Sequence, residues 1–400
     1  MRMLFSTLPG LGHFFPIVPL AWGARAAGHD VLIATTSEAL EASGRAGLPA
    51  VDVAPGLNVP QVFQRMQERT GRSFLFTRDA LSDAIVQAIS GAFAEISDRM
   101  ADRTVAVVRS WQPDMVVHTP IGGAGPLAAT MRSIPAVLHG FGLGPAGRVT
   151  QLVNLVFQGM KPTFERHGLP GEVAPPLAVI DPTPPSMGGP DRLPAWPVRY
   201  VPYNEGGALP DWLRRPAVRT RICMTLGTVV PYAAGVGALP GVIEAVRDLD
   251  AEVVLALGQV DCSDLGSLPG NVHVAGWVPL SALLPTCRVL VHHGGAGTTM
   301  NALAAGVPQL VLAHGADQHA NAAAVEQRGV GLSHLPEEAD PATMGSSLHR
   351  LLEEPAFSEA AGEVRQEIAD LSSPAEMVHR LEETLAQATE VRRESRGMHG

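Results

Sequence analysis

Twice along this chain a short apolar run ends in a glycine-bearing turn, gives way to helical spacing, and returns to a β-rich run. Residues 3–7, the turn Pro9-Gly10-Leu11-Gly12-His13, a helical stretch over 17–27 stopped by Gly28, and the run 31–34 make the first instance. A strand over 221–226, the turn Gly227-Thr228, a helix over 242–249 and a strand over 252–257 make the second. Strand, glycine turn, helix, strand is the signature of a parallel sheet built from βαβ units. Further strands are expected at 113–118, 134–138, 271–275, 289–291 and 309–312, and helices at 298–305 and 374–388. Residues 56–100 read as a loop with helices. The stretch 168–218 is dense in proline, so it is expected to hold neither long helices nor central strands and to connect the two halves. An α/β protein of two Rossmann-like domains follows, with a ligand at the carboxyl ends of the strands, in the cleft between the halves.

Size and charge agree. Four hundred residues exceed what one core usually organises. A net charge of −10, with Lys161 as the only lysine, argues against a nucleic-acid partner. Cys223, Cys262 and Cys287 have no CxxC spacing and read as buried small residues in a reducing compartment. No apolar run spans a bilayer, and the apolar start is broken at once by Ser6, Thr7, Pro9 and Gly10. The expected location is the cytoplasm.

The segment that carries most chemistry is His292-His293-Gly294-Gly295-Ala296-Gly297-Thr298-Thr299. An apolar strand ends in two histidines, glycines allow close backbone approach, and Thr298 opens and caps a helix. Free N–H groups at a helix start form an anion site, to which neutral His293 can add a ring donor. A glycine turn with an ordinary helix cap is the plain alternative. Trp277, in Gly276-Trp277-Val278-Pro279, suits a nucleobase platform or a core position. Asp317-Gln318 offers acceptors and donors for sugar hydroxyls, or a solvated loop.

The order Gly-Trp-Val-Pro, His-His-Gly-Gly-Ala-Gly-Thr, Ala-Ala-Gly-Val-Pro-Gln and Asp-Gln-His resembles the donor motif of inverting, metal-independent glycosyltransferases of the GT-B fold. It is closest to the actinomycete enzymes that decorate polyketide and enediyne antibiotics. The resemblance implies an N-terminal acceptor domain over 1–200, a linker over 201–218, and a nucleotide-sugar domain over 219–373. It also implies a helix over 374–390 returning to the first domain; residues 391–400 read as a frayed tail. It assigns Trp277 and Val278 to the base, and Gly227, Thr228, His293, Gly295, Gly297 and Thr298 to the diphosphate. Asp317 and Gln318 go to the sugar. Asn301 stands where UDP-sugar users of the family place a ribose-clamping Glu, which favours a dTDP-deoxysugar donor.

His13 matches the family's catalytic base, and Thr119 occupies the position of its usual carboxylate partner. A hydroxyl supports an imidazolium far less than a carboxylate does. Phe14, Phe74, Phe76 and Phe141 are the expected acceptor contacts, and Phe157 a further candidate. No cofactor or metal is expected. Asp248-Leu249-Asp250 reads as a solvated turn rather than a metal motif, and the four histidines of 292–319 fit no zinc pattern. The expected partners are a dTDP-sugar and a small lipophilic aglycone, bound by a monomer or homodimer, with no membrane. The dinucleotide fingerprint lacks its third glycine and acid, and the cleft lacks an epimerase's carboxylates. A non-catalytic nucleotide-binding partner or activator of another transferase is the remaining alternative.

Overall fold

The computed structural model describes residues 1–71, 82–143, 146–188, 194–227, 238–258, 260, 262–315 and 317–397. In chain order the first half contains β1 (Arg2–Ser6), α1 (Leu11–Phe14), α2 (Val18–Ala26), β2 (Asp30–Thr35), α3 (Ser37–Arg45), β3 (Ala50–Asp52), α4 (Val59–Thr70) and α5 (Asp83–Trp111). Next come β4 (Met115–His118), α6 (Ala124–Met131), β5 (Ala136–His139), α7 (Ala146–Gly159), α8 (Lys161–Arg166), β6 (Ala178–Asp181) and β7 (Trp196–Pro197). The second half contains β8 (Thr220–Thr225), α9 (Leu239–Ala245), β9 (Ala251–Leu255), β10 (Val272–Val274), α10 (Leu280–Leu283), β11 (Val289–His292), α11 (Ala296–Ala305) and β12 (Gln309–Leu312). Last are α12 (Gln318–Arg328), β13 (Gly331–His334), α13 (Pro341–Glu353), α14 (Pro355–Asp370) and α15 (Pro374–Gly397).

Each half is an all-parallel sheet, with strand order β3-β2-β1-β4-β5-β6-β7 in the first and β10-β9-β8-β11-β12-β13 in the second. The order reverses between β1 and β4, and again between β8 and β11. Crossovers on either side of such a point leave the sheet in opposite directions, so the turns after those strands border an open crevice. His13 follows β1, Thr119 follows β4, Gly227 follows β8 and His293 follows β11. The strands at these points, Leu4-Phe5 and Val289-Leu290-Val291 among them, are buried on both faces, which is why they read as unbroken apolar runs.

Three differences from the sequence expectation have plain causes. The proline-dense stretch supplies β6 and β7, which extend the first sheet past β5; Pro197 is tolerated because β7 is an edge strand. Residues 83–111 form one helix of 29 residues, capped at its end by Gln112 in the left-handed region. The last helix runs to Gly397, well past the expected end and through the supposed tail.

That last helix lies on α2 of the first half. Met377, Val378 and Leu381 are fully buried in a core shared with Val18, Leu20 and Ala21. A chain crossing back from the second half thus completes the core of the first. Leu381→Ala should cost about 2–5 kcal/mol, read as a lowered urea midpoint for the unfolding of that core; a midpoint unchanged from the parent would contradict the packing.

Candidate functional site

At the end of β11 the backbone turns through Gly294, at φ +87°, where a side chain would meet Val311 and Gln318. Helix α11 then begins at Ala296 with Gly295 as N-cap, two residues earlier than the sequence suggested. Thr298 is therefore not the cap but the third helical residue. Thr299 closes the turn instead, both its N–H and its hydroxyl donating to the Gly295 carbonyl, at 3.0 and 3.1 Å. The first N–H, of Ala296, goes to the Asp317 carboxylate. The N–H groups of Gly297 and Thr298 follow, which helix geometry leaves without intrahelical acceptors. They stand at the positive end of the helix dipole, on the turn that follows β11 at the switch point.

His293 is clamped beside this turn. Its ring lies between Gly227, at φ +66°, and Gly295, and a Cβ at either glycine would fall within ring contact distance. Burial, aided by His292 and His314 nearby, pushes its pKa down to about 3, so the ring is neutral at physiological pH. Its Nδ1 has no partner among the described residues. His292 is structural by contrast: its Nε2–H donates to Gln309 Oε1 at 2.9 Å, and its Nδ1 accepts the Gly294 N–H at 3.1 Å.

Asp317 is half-buried; desolvation raises its pKa, and its carboxylate also accepts from Asn321 Nδ2 at 3.0 Å. Gln318 is buried, with Oε1 accepting the His314 N–H at 2.8 Å, which turns its amide into a fixed donor. Trp277 is 46% exposed, its ring seated against Gly258. Val278 beside it is buried in the core, so only its backbone can face a ligand. Thr228 lies outside the described residues, as do Phe74 and Phe76.

Across the crevice His13 stands on the one-turn helix α1, whose N-cap is Gly10 and whose buried anchor is Phe14. The imidazole packs edge-on to Phe141, at 5.0 Å between centroids, and to Phe93, at 6.1 Å; Phe63 continues the row, 5.8 Å from Phe93. These apolar neighbours push the His13 pKa down to about 4. Phe93 and Phe63 were missed from sequence. Phe14, an expected acceptor contact, is fully buried in the core beneath the sheet and packs there because α1 must present an apolar side inward. Phe157 packs on Phe164 in the second core of that half. Thr119 is fully buried, its Oγ1 without a partner among the described residues, and His118 turns its ring to the Thr119 carbonyl at 3.2 Å.

The two sides meet. Gly142, next to Phe141, has φ +140°, and a Cβ there would lie 3.2 Å from Ala296 and 3.3 Å from Met300. Thr183 Oγ1 holds the Gly142 carbonyl at 3.1 Å. Tyr200, from the end of the proline-rich stretch, bonds Asn301 Nδ2 at 3.1 Å, and that amide also donates to the Gly297 carbonyl at 2.6 Å. Asn301 is thus turned inward to tie the connection to α11, rather than outward as a ribose-clamping residue would be. Among the described residues no cluster of histidine, cysteine and carboxylate has metal-binding geometry, and Asp250 pairs with Arg219 at 3.4 Å on the surface. No helix among them is long and apolar enough to cross a membrane.

Buried neutral histidines set an acid limit. His13, His118, His139 and His292 are held at about 4 and His293 at about 3, against 6.5 for the free side chain. Below pH 6.5 the unfolded chain binds protons the fold refuses, so stability is complete above that pH and falls toward pH 4. Each residue contributes up to about 1.4 kcal/mol per pH unit. Melting temperature should therefore fall steeply between pH 6.5 and 4.5; a flat profile there would contradict these assignments.

Models of the erythromycin biosynthesis protein CIII-like family match residues 22–227 with their N-terminal domain and 241–384 with their C-terminal domain. The chain is 38% identical over 386 residues to elloramycin glycosyltransferase ElmGT of Streptomyces olivaceus, covering 95% of this chain and 97% of that one. Its fold is similar to the glycosyltransferase SnogD of Streptomyces nogalater, with a TM-score of 0.82 and 40% identity over 96% of this chain and 99% of SnogD. The spinosyn rhamnosyltransferase SpnG complexed with thymidine diphosphate superposes with a TM-score of 0.81, at 30% identity over 96% of this chain and 100% of SpnG.

Proposed function

The chain belongs to the erythromycin biosynthesis protein CIII-like glycosyltransferases, enzymes of antibiotic biosynthesis with the GT-B fold, and on that premise we propose how its crevice performs the transfer. The donor is a dTDP-deoxysugar and the acceptor a lipophilic polyketide aglycone, joined with inversion at the anomeric carbon. Thymidine diphosphate bound in SpnG supports the nucleotide. One observation carries the reading. Gly142 rests on the first turn of α11, so the wall that holds His13 abuts the helix start that offers N–H groups to a diphosphate.

In this reading the base lies on the exposed face of Trp277, read by the backbone at Val278. The diphosphate sits at Gly297 and Thr298 with the neutral ring of His293 as a further donor. Charge builds on the diphosphate as the glycosidic bond breaks, and fixed donors aimed there need no reorganisation. Those donors meet the leaving charge without a metal ion. Gln318, with its amide direction fixed, and Asp317 hold sugar hydroxyls. His13 takes the acceptor proton as the acceptor oxygen attacks from the opposite face of the anomeric carbon. Cys223 and Cys287 are buried and form no disulfide, which supports a reducing setting such as the cytoplasm.

Two variants test this. A methyl at Gly297 meets no atom of the described residues within 4 Å, so Gly297→Ala should leave the melting temperature unchanged. It should nevertheless weaken dTDP binding at least tenfold, about 1.4 kcal/mol, by calorimetry; unchanged affinity would move the diphosphate elsewhere. His13→Ala should lower kcat by roughly 10²–10⁴-fold and leave dTDP affinity intact. Full activity in that variant would remove His13 from the chemistry.

A further inference from the structure

We infer that the acceptor hydroxyl is phenolic: the site is built to take a proton from an aromatic hydroxyl and not from an aliphatic alcohol. The inference rests on the glycosyl-transfer reading and concerns what His13 can deprotonate.

Three observations carry it. First, the ring of His13 has no ionic support. Its Nδ1 is buried with no hydrogen-bond partner, and it takes part in no ion pair among the described residues. The carboxylate that reaches the same turn, Glu38, accepts the backbone N–H of Leu11 instead. Second, the neighbouring strands β1 and β4, in register with Ser6 beside His118, bring the turn of Thr119 to the same sheet edge, yet Thr119 Oγ1 is likewise buried without a partner. A hydroxyl offers orientation through a shared hydrogen bond, but no compensating charge. Third, the ring's flanks are the aromatic side chains of Phe141 and Phe93, followed by Phe63. The rings meet the imidazole edge-on; even face-on, an aromatic ring gives a desolvated cation on the order of 2 kcal/mol, while loss of the carboxylate partner in a comparable triad costs roughly 10⁴ in rate.

Such a base is weak in the direction that matters. A phenol, with a pKa near 10, gives up its proton roughly six units more readily than an alcohol, which resembles water at about 16. The same row of rings that withholds charge offers edge-to-face contact to a flat polycyclic acceptor. In the transfer the phenolic O–H proton passes to His13 and the phenolic oxygen forms the new bond to the anomeric carbon. The carbon–oxygen bond to the diphosphate breaks with its electron pair on dTDP, and His13 afterwards releases the proton to solvent.

The test uses the full-length enzyme with dTDP-glucose and dTDP-rhamnose and one scaffold carrying both hydroxyl types, a hydroxymethyl-dihydroxyanthraquinone. The product is located by mass spectrometry and NMR. The phenolic position should be glycosylated at least about 100-fold faster than the hydroxymethyl group, within the range general-base support commands. Thr119→Asp, which places a carboxylate at the sheet edge, should narrow that preference at least about tenfold by raising the rate at the alcohol. Where that variant fails to fold, the wild-type ratio alone decides. Comparable rates at both positions, or transfer to the alcohol alone, overturn the inference. With dTDP bound tightly in calorimetry, the donor reading survives either result. Absence of any transfer overturns the inference as well, and absence of dTDP binding with it removes the donor reading beneath.

Discussion

Everything about this crevice depends on one backbone approach, that of Gly142 to the first turn of α11. At φ +140°, and with an added Cβ falling 3.2 Å from Ala296 and 3.3 Å from Met300, a side chain here would strain the backbone and press against α11. The loop it belongs to carries Phe141, which flanks His13. The helix it touches carries the N–H groups of Gly297 and Thr298. The proposed base and the proposed anion site, from separate sheets, therefore share a border at which the Gly142 backbone packs on Ala296 and Met300 of α11. The Tyr200–Asn301 hydrogen bond and the pairing of Ser186 with Glu367 hold the same border from the side of the connection.

The electrostatics of the site follow from burial rather than from charge. Its histidines are kept neutral by desolvation, which in the proposed mechanism leaves His293 a dipolar donor and His13 a weak, unassisted base. Neutral groups around a diphosphate limit the cost of desolvating both partners, while the helix start supplies the favourable potential. Asp317 is the exception. Its carboxylate is bound into the α11 start through Ala296 and Asn321, while burial raises its pKa.

Much of this was legible in the residues. Parallel strands buried on both faces must be continuous apolar runs, and the glycine turns after them had to lie at switch points once the two βα series were recognised. His13 and His293 could be singled out by the glycine turns they adjoin and by the resemblance, and Trp277 by its place after Gly276, although a core position suited that type equally well. What escaped had physical reasons. Phe93 and Phe63 lie on long helices whose mixed composition hides which face meets a cleft. Tyr200 lies within a proline-rich stretch with no periodicity, so nothing in sequence pointed it at Asn301. The start of α11 was misplaced because a threonine is the better cap by type, whereas here the capping position needed glycine to pass the His293 ring. Phe14 resembled a cleft residue only because it adjoins His13; helical geometry turns successive side chains about 100° apart, and Phe14 faces the core.

The account's central claim is that the diphosphate of the donor is held at the start of α11 beside His293, facing His13. A crystal structure of the enzyme with dTDP measures this directly. The β-phosphate should lie within hydrogen-bond distance of the Gly297 or Thr298 N–H and of the His293 ring, with thymine over Trp277. A nucleotide bound with its phosphates away from that turn, leaving the N–H groups to water, would contradict it.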